Sequence, residues 1–171
     1  MMRRFLSDGR PLDEFFHSQL VACPQCGKRA ELVYRNGEVR LACVMCGYCR
    51  SMGGVSNPEG DPDIANGIPG VDFPASRISW SLAAWKPVDL WLRTPCCGDV
   101  LWAYNLEHLL YLKEFIAASL RERRPIRRDP KGPVIWRNKA MISRMPRWMK
   151  DRRNRDAILA AIAKLERMAR S

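Results

Sequence analysis

Cys23, Cys26, Cys43 and Cys46 form two Cys-x2-Cys pairs, with sixteen residues between Cys26 and Cys43. Two residues between cysteines let one tight turn aim both sulfurs at a single ion, and two such turns complete a tetrahedron. Glycine follows each pair, at Gly27 and Gly47, where the turn favours a positive φ that glycine adopts without strain. Between the pairs, residues 29–35 and 38–43 read as two short strands around Asn36-Gly37, a dipeptide that favours a two-residue hairpin turn. That hairpin brings the two turns together. Cys46-Gly47-Tyr48-Cys49 is also a Cys-x2-Cys pair, so the second half of the site has two candidate ligand sets. The Cys43/Cys46 choice is preferred because it alone repeats the glycine of the first pair. Four protein thiolates leave no open coordination position, so one structural ion is expected: zinc, with iron the alternative.

Seven cysteines, four of them in close pairs, suit metal binding in a reducing compartment better than a disulfide framework. The opening Met1-Met2-Arg3-Arg4-Phe5-Leu6 lacks the apolar stretch of a signal peptide, and no run of eighteen apolar residues occurs. A cytoplasmic protein with no membrane span is therefore expected.

Residues 11–20 read as a short helix or turn carrying Phe15 and Phe16, and residues 53–74 as a long loop dense in Gly, Pro, Asn and Asp. Glu59-Gly60-Asp61-Pro62-Asp63 in that loop lacks the ligand series of a calcium loop. Residues 88–94 and 100–104 alternate as strands about Pro95-Cys96-Cys97-Gly98, which predicts a second hairpin with Trp91 facing Trp102. From Asn105, a candidate N-cap, Leu106, Leu109, Leu112, Phe115, Ile116 and Leu120 share one helical face, and Pro125 is expected to end the helix. A short helix is expected over 138–145, stopped by Pro146. The last helix, 154–169, carries Ile158, Ile162, Leu165 and Ala169 on one stripe.

The net charge of +11 is unevenly spread: residues 121–171 hold 17 Lys and Arg against 5 Asp and Glu, and residues 1–120 hold 12 against 13. Clustered cations attract polyanions. Arg123, Arg124, Arg127, Arg128, Lys131, Arg147, Lys150, Arg152, Arg153 and Arg155 are the candidate phosphate contacts, with Trp148 a candidate base-stacking ring. Trp136 and Trp148 stand among these cations either as stacking platforms or as anchors of the basic segment. The expected partner is RNA or DNA. The alternative is an acidic protein, for instance a bacterial toxin held by an adaptor or immunity protein, whose association the basic charge would accelerate.

Phosphate loops, GxSxG, HExxH and glycine-rich nucleotide fingerprints are all missing from the sequence. Cys97 with His108 is a conceivable nucleophile and base, and Cys96, Cys97, Cys49 and His108 a conceivable second metal set, but no spacing requires either. Neither catalysis nor a small-molecule substrate is expected.

The segment from Cys23 to Cys46 resembles the zinc ribbon of the transcription-factor-IIB type, a likeness confined to about the first third of the chain. The strings Thr94-Pro95-Cys96-Cys97-Gly98-Asp99-Val100-Leu101-Trp102-Ala103-Tyr104-Asn105, Leu106-Glu107-His108-Leu109, Leu120-Arg121-Glu122-Arg123 and Met145-Pro146-Arg147-Trp148-Met149-Lys150 resemble a group of bacterial zinc-ribbon-containing proteins. No catalytic residue is carried over from either. The cyclin-like repeats that follow the ribbon in the eukaryotic and archaeal factor are absent here, so the resemblance does not imply a role in transcription initiation.

These features predict an α+β chain: a zinc-ribbon module over 1–52, a long Gly/Pro-rich loop over 53–79, a β-hairpin plus helix over 80–124, and a basic linker with C-terminal helices over 125–171. Its expected role is that of a non-enzymatic binding module.

Overall fold

Alternation of apolar and polar residues builds a four-stranded antiparallel sheet in the order β2-β3-β4-β5, from Ser18–Ala22, Arg29–Arg35, Glu38–Ala42 and Cys49–Gly53. This is a computed structural model, and it describes residues 4–35, 38–53, 77–78, 88–123 and 140–170. Arg35 pairs with Glu38, while Asn36-Gly37, the expected turn, lies outside the described residues. The period of two buries Val21, Ala30, Leu32, Val39 and Leu41, and leaves Glu31, Arg35, Glu38 and Arg40 on the exposed face. The segment expected as a helix or turn over 11–20 is divided. A 3-10 turn, Leu12–Phe15, is followed at once by strand β2, because its alternate residues Gln19 and Val21 are fully buried.

The second hairpin forms from β8 (Arg93–Cys96) and β9 (Asp99–Trp102). Its register sets Arg93, not Trp91, opposite Trp102. Trp91 instead points its indole at the last helix, donating to Met168 O at 3.0 Å. Just before the hairpin, β6 (Arg77–Ile78) and β7 (Val88–Asp89) make a short antiparallel pair. The residues around the hairpin also close the free edge of β2. Leu20 N–H donates to Tyr104 O (2.7 Å), Trp91 N–H donates to Leu20 O (2.9 Å), and Val21 bridges Leu90. The strand is thus paired on both sides, which removes an exposed edge.

Helix α1 spans Leu106–Ala117 behind Asn105, whose side chain accepts the His108 N–H. The helix buries Leu109, Leu112, Phe115 and Ile116 as the pattern predicts, but it ends well before Pro125. Leu120–Arg123 forms β10, paired in parallel with β1 (Arg4–Ser7). Leu120 is 38% exposed there rather than on the helical face. Pairing with the N-terminal strand satisfies the same backbone groups that a longer helix would have satisfied internally, and it prevails.

After the undescribed stretch 124–139, Pro146 separates two single turns, α2 (Met141–Arg144) and α3 (Arg147–Lys150). A 3-10 turn, Arg152–Asn154, leads into α4 (Arg155–Arg170), which buries Ile158, Ile162, Leu165 and Ala169 on one stripe. Two apolar clusters result: the inner face of the four-stranded sheet with Val88 and Leu90, and a larger one formed by Phe5, Phe15, the second hairpin and the helices. Tyr104 packs against both. The long loop expected over 53–74 and the basic linker lie almost wholly outside the described residues, as do Trp80, Trp85 and Trp136.

Candidate metal centre

The two cysteine turns repeat one backbone pattern. In the first, Cys23 N–H donates to Lys28 O (2.7 Å) and Gly27 N–H to Cys23 O (2.9 Å). In the second, Cys43 N–H donates to Tyr48 O (2.8 Å) and Gly47 N–H to Cys43 O (3.0 Å). Gly27 and Gly47 have φ of 69° and 72°. A Cβ at either would meet nothing within 4 Å, so it is the backbone angle, not lack of space, that calls for glycine. Ala22 pairs with Arg29 and Ala42 with Cys49, closing each turn, and the β3–β4 register, with Glu31 opposite Ala42, sets the two turns side by side.

The four sulfurs of Cys23, Cys26, Cys43 and Cys46 all lie within 4.8 Å of one another. Cys23 Sγ is 3.7 Å from Cys46 Sγ, and Cys26 Sγ is 3.6 Å from Cys43 Sγ, so each close contact joins the two turns. Cys23 and Cys43 are buried, whereas Cys26 and Cys46 face solvent. Gln25 N–H points at Cys23 Sγ from 3.4 Å. Burial opposes ionisation of Cys43, but N–H groups of Cys46 and Met45 together with the neighbouring thiols outweigh it and bring the group down to about 7. At Cys46 the Tyr48 N–H favours the thiolate, yet burial and the thiols of Cys26, Cys23 and Cys43 push it up to about 12. Such a cluster ionises at one sulfur readily and resists collecting further negative charge unless a cation joins it. The tetrad can hold a metal ion.

Cys49, the alternative ligand, is exposed at the start of β5 and stands outside the cluster. Among the described residues the tetrad is the one group of three or more His, Cys, Asp or Glu side chains close enough to share an ion. Cys96 and Cys97 therefore do not assemble a second such set with Cys49 and His108. His108 is buried against Phe15 (ring centroids 5.0 Å apart, stacked) and Trp102 (5.6 Å, edge-on). Its Nδ1 accepts the Tyr104 N–H at 3.3 Å. Desolvation brings its pKa down to about 3, and a neutral ring so enclosed serves packing rather than a nucleophile.

One residue ties this centre to the basic helix. Arg29 O lies 3.6 Å from Cys43 Sγ, while its guanidinium donates to Ala169 O at 2.7 Å. With Trp91 on Met168 O, two donors satisfy terminal carbonyls of α4, and the cation suits the negative end of the helix dipole. Nothing in the sequence spacing announced these two caps.

The candidate phosphate contacts divide into separate groups. Arg147 and Arg152 are exposed, with no side-chain hydrogen bond or ion pair to a described residue. Arg153 is 89% exposed and paired with Asp151 at 2.8 Å, which holds that carboxyl down to about 2. Lys150 donates to Ser143 O (3.1 Å), and Arg155 to Ala117 O. Trp148 is half-buried against the larger apolar cluster, and its Nε1 is buried with no hydrogen-bond partner among the described residues. Arg123 lies in β10, whereas Arg124, Arg127, Arg128 and Lys131 are outside the described residues. Sequence reasoning passed over Val44 and Met45, which are 85% and 67% exposed at the tip of the second turn. The available signal was their place between two ligands, where the first turn has Pro24 and Gln25.

Among the described residues no helix is long and apolar enough to cross a membrane. Compared with known proteins, the chain matches no family model, no curated protein and no solved structure.

Proposed function

We propose that the chain is a non-enzymatic zinc-ribbon module of the cytoplasm whose basic C-terminal third binds nucleic acid. Cys23, Cys26, Cys43 and Cys46 would hold one structural zinc ion. A tetrahedron with bonds of about 2.3 Å has edges of about 3.8 Å, and the two closest sulfur pairs, at 3.7 and 3.6 Å, are of that size. Zinc is preferred to iron because a separate, strongly basic C-terminal third suits a polyanion binder better than an electron carrier. The finer likeness, to the transcription-factor-IIB type and to bacterial zinc-ribbon proteins, rests on the sequence strings quoted above.

The observation that carries the nucleic-acid reading is the pair Arg147 and Arg152, exposed and uncommitted among the described residues. They stand on a segment that buried Met149 and half-buried Trp148 fix to the core. The exposed face of β3 and β4 is a poorer platform for phosphate, because Glu31 and Glu38 alternate there with Arg35 and Arg40. Filter binding of single-stranded RNA and duplex DNA across a salt series tests the reading. Affinity should fall steeply with salt, and the double variant Arg147→Ala/Arg152→Ala should make the slope shallower by about 1.4–1.8. No retention of either polymer at low salt would end it.

Val44 and Met45 favour a second reading. Two apolar side chains held out on a fixed turn suit a protein contact better than a phosphate one. The chain would then be an adaptor or immunity protein, and its partner an acidic protein such as a bacterial toxin. A stoichiometric protein that co-purifies, with no elevated absorbance at 260 nm, would favour it.

A further inference from the structure

Cys96 and Cys97 stand side by side in the turn of the second hairpin, and the tetrad makes no use of either. Cys96 pairs with Asp99, so Cys97 and Gly98 form a two-residue turn, with φ of 54° and 81°. Hairpins with two positive φ values usually place Asn-Gly or Asp-Gly there. Cys97 is the one non-glycine residue with positive φ among the described residues, a conformation that ordinary side chains disfavour. The outlier therefore falls on a residue with chemistry to offer, and Cys97 is exposed.

The two Sγ atoms are 3.6 Å apart. With sulfur bonds of about 2.3 Å, a linear S–M–S unit needs sulfurs about 4.6 Å apart, whereas a bent one near 100° needs about 3.5 Å. No third His, Cys, Asp or Glu among the described residues completes a set with them, so an ion requiring four protein donors is not served. A disulfide fits poorly as well, because adjacent Cα atoms sit about 3.8 Å apart and disulfides usually span about 4.4–6.8 Å.

We propose that Cys96 and Cys97 form a dithiol site for a pyramidal, trivalent thiophilic centre of the arsenical type, separate from the four-cysteine cluster. Such a centre makes two bonds to sulfur and keeps one to its own substituent. The capture is balanced without an oxidant: an arsenous oxide, R–As=O, exchanges its oxygen for two As–S bonds. Both thiol protons leave with that oxygen as water, and arsenic stays trivalent. Burial and the adjoining Cys97 push the Cys96 thiol up to about 11, so its proton is present to be carried away at neutral pH.

The test titrates the zinc-loaded full chain with phenylarsine oxide in excess monothiol and reads intact mass under native conditions. One adduct per chain, of the arsenical less one water, with zinc retained, is the expected result. Cys97→Asn, which the turn should tolerate at least as well as cysteine, should weaken capture at least about 100-fold, because the second attachment is lost. Cys49→Ser should leave it unchanged. A thermal melt no lower than that of the parent shows that the Cys97→Asn chain is folded. An undiminished adduct in Cys97→Asn, or capture only as zinc is expelled, overturns the proposal.

Discussion

Asn105 is 7% exposed and makes three hydrogen bonds with one amide. Its Oδ1 accepts the His108 N–H at 2.9 Å, and its Nδ2 donates to Phe15 O and Ser18 O, both at 2.8 Å. The side chain thus starts α1 and also holds the two carbonyls that frame the entry into β2. In Asn105→Ala the lost cap costs about 1 kcal/mol. Each carbonyl left without its donor costs about 1–3 kcal/mol, the lower end applying to the half-buried Ser18. Together the loss should be about 3–5 kcal/mol, a large part of the ~5–15 kcal/mol that holds an ordinary domain folded. Asn105→Asp keeps the cap acceptor but turns an anionic oxygen toward two carbonyls, so it should not rescue the loss. Urea denaturation of the zinc-loaded variants, followed by tryptophan fluorescence with the slope held in common, gives both values. A loss below about 1 kcal/mol in Asn105→Ala, within the range of surface changes, would refute the idea that this amide joins the ribbon sheet to the helical layer.

Two further outcomes are expected. Gly27→Ala and Gly47→Ala should each cost about 1–2 kcal/mol from the left-handed backbone alone, since a Cβ meets nothing within 4 Å. Chelator competition should show this as weakened zinc binding, and unaltered binding in both variants would contradict it. Desolvation lowers His108 from 6.5 to about 3, so the unfolded chain takes up this proton below pH 6.5 while the native chain refuses it until about 3. Its contribution to stability is therefore complete above pH 6.5 and lost progressively as pH falls to about 3. His108→Gln should make the fall in stability across that window shallower, and equal slopes in paired denaturation series would contradict the assignment.

Much of the tetrad was legible because chain spacing alone decides it: two Cys-x2-Cys turns, each followed by glycine, on either end of a short hairpin. The apolar stripe of α4 was legible for a similar reason, since Ile158, Ile162, Leu165 and Ala169 keep one period from end to end. Pairing between distant segments was not. Nothing in Arg4–Ser7 names Leu120–Arg123 as its partner, and the apolar period of α1 runs on through Leu120 although the chain has already left the helix. Strand β2 was hidden by Gln19, a buried polar residue that breaks the apolar alternation. Charge density marked the basic third as a whole, but it did not separate Arg147 and Arg152 from Arg153 and Arg155, which are committed to Asp151 and to the end of α1. The first commitment is local, between residues two apart, whereas the second depends on a neighbour 38 residues back along the chain.

X-ray absorption at the zinc edge, combined with elemental analysis of the purified full chain, bears most directly on the metal centre. One zinc per chain with four sulfur neighbours at about 2.3 Å is the predicted result. A sub-stoichiometric metal content, or a coordination shell containing nitrogen or oxygen in place of sulfur, would contradict it.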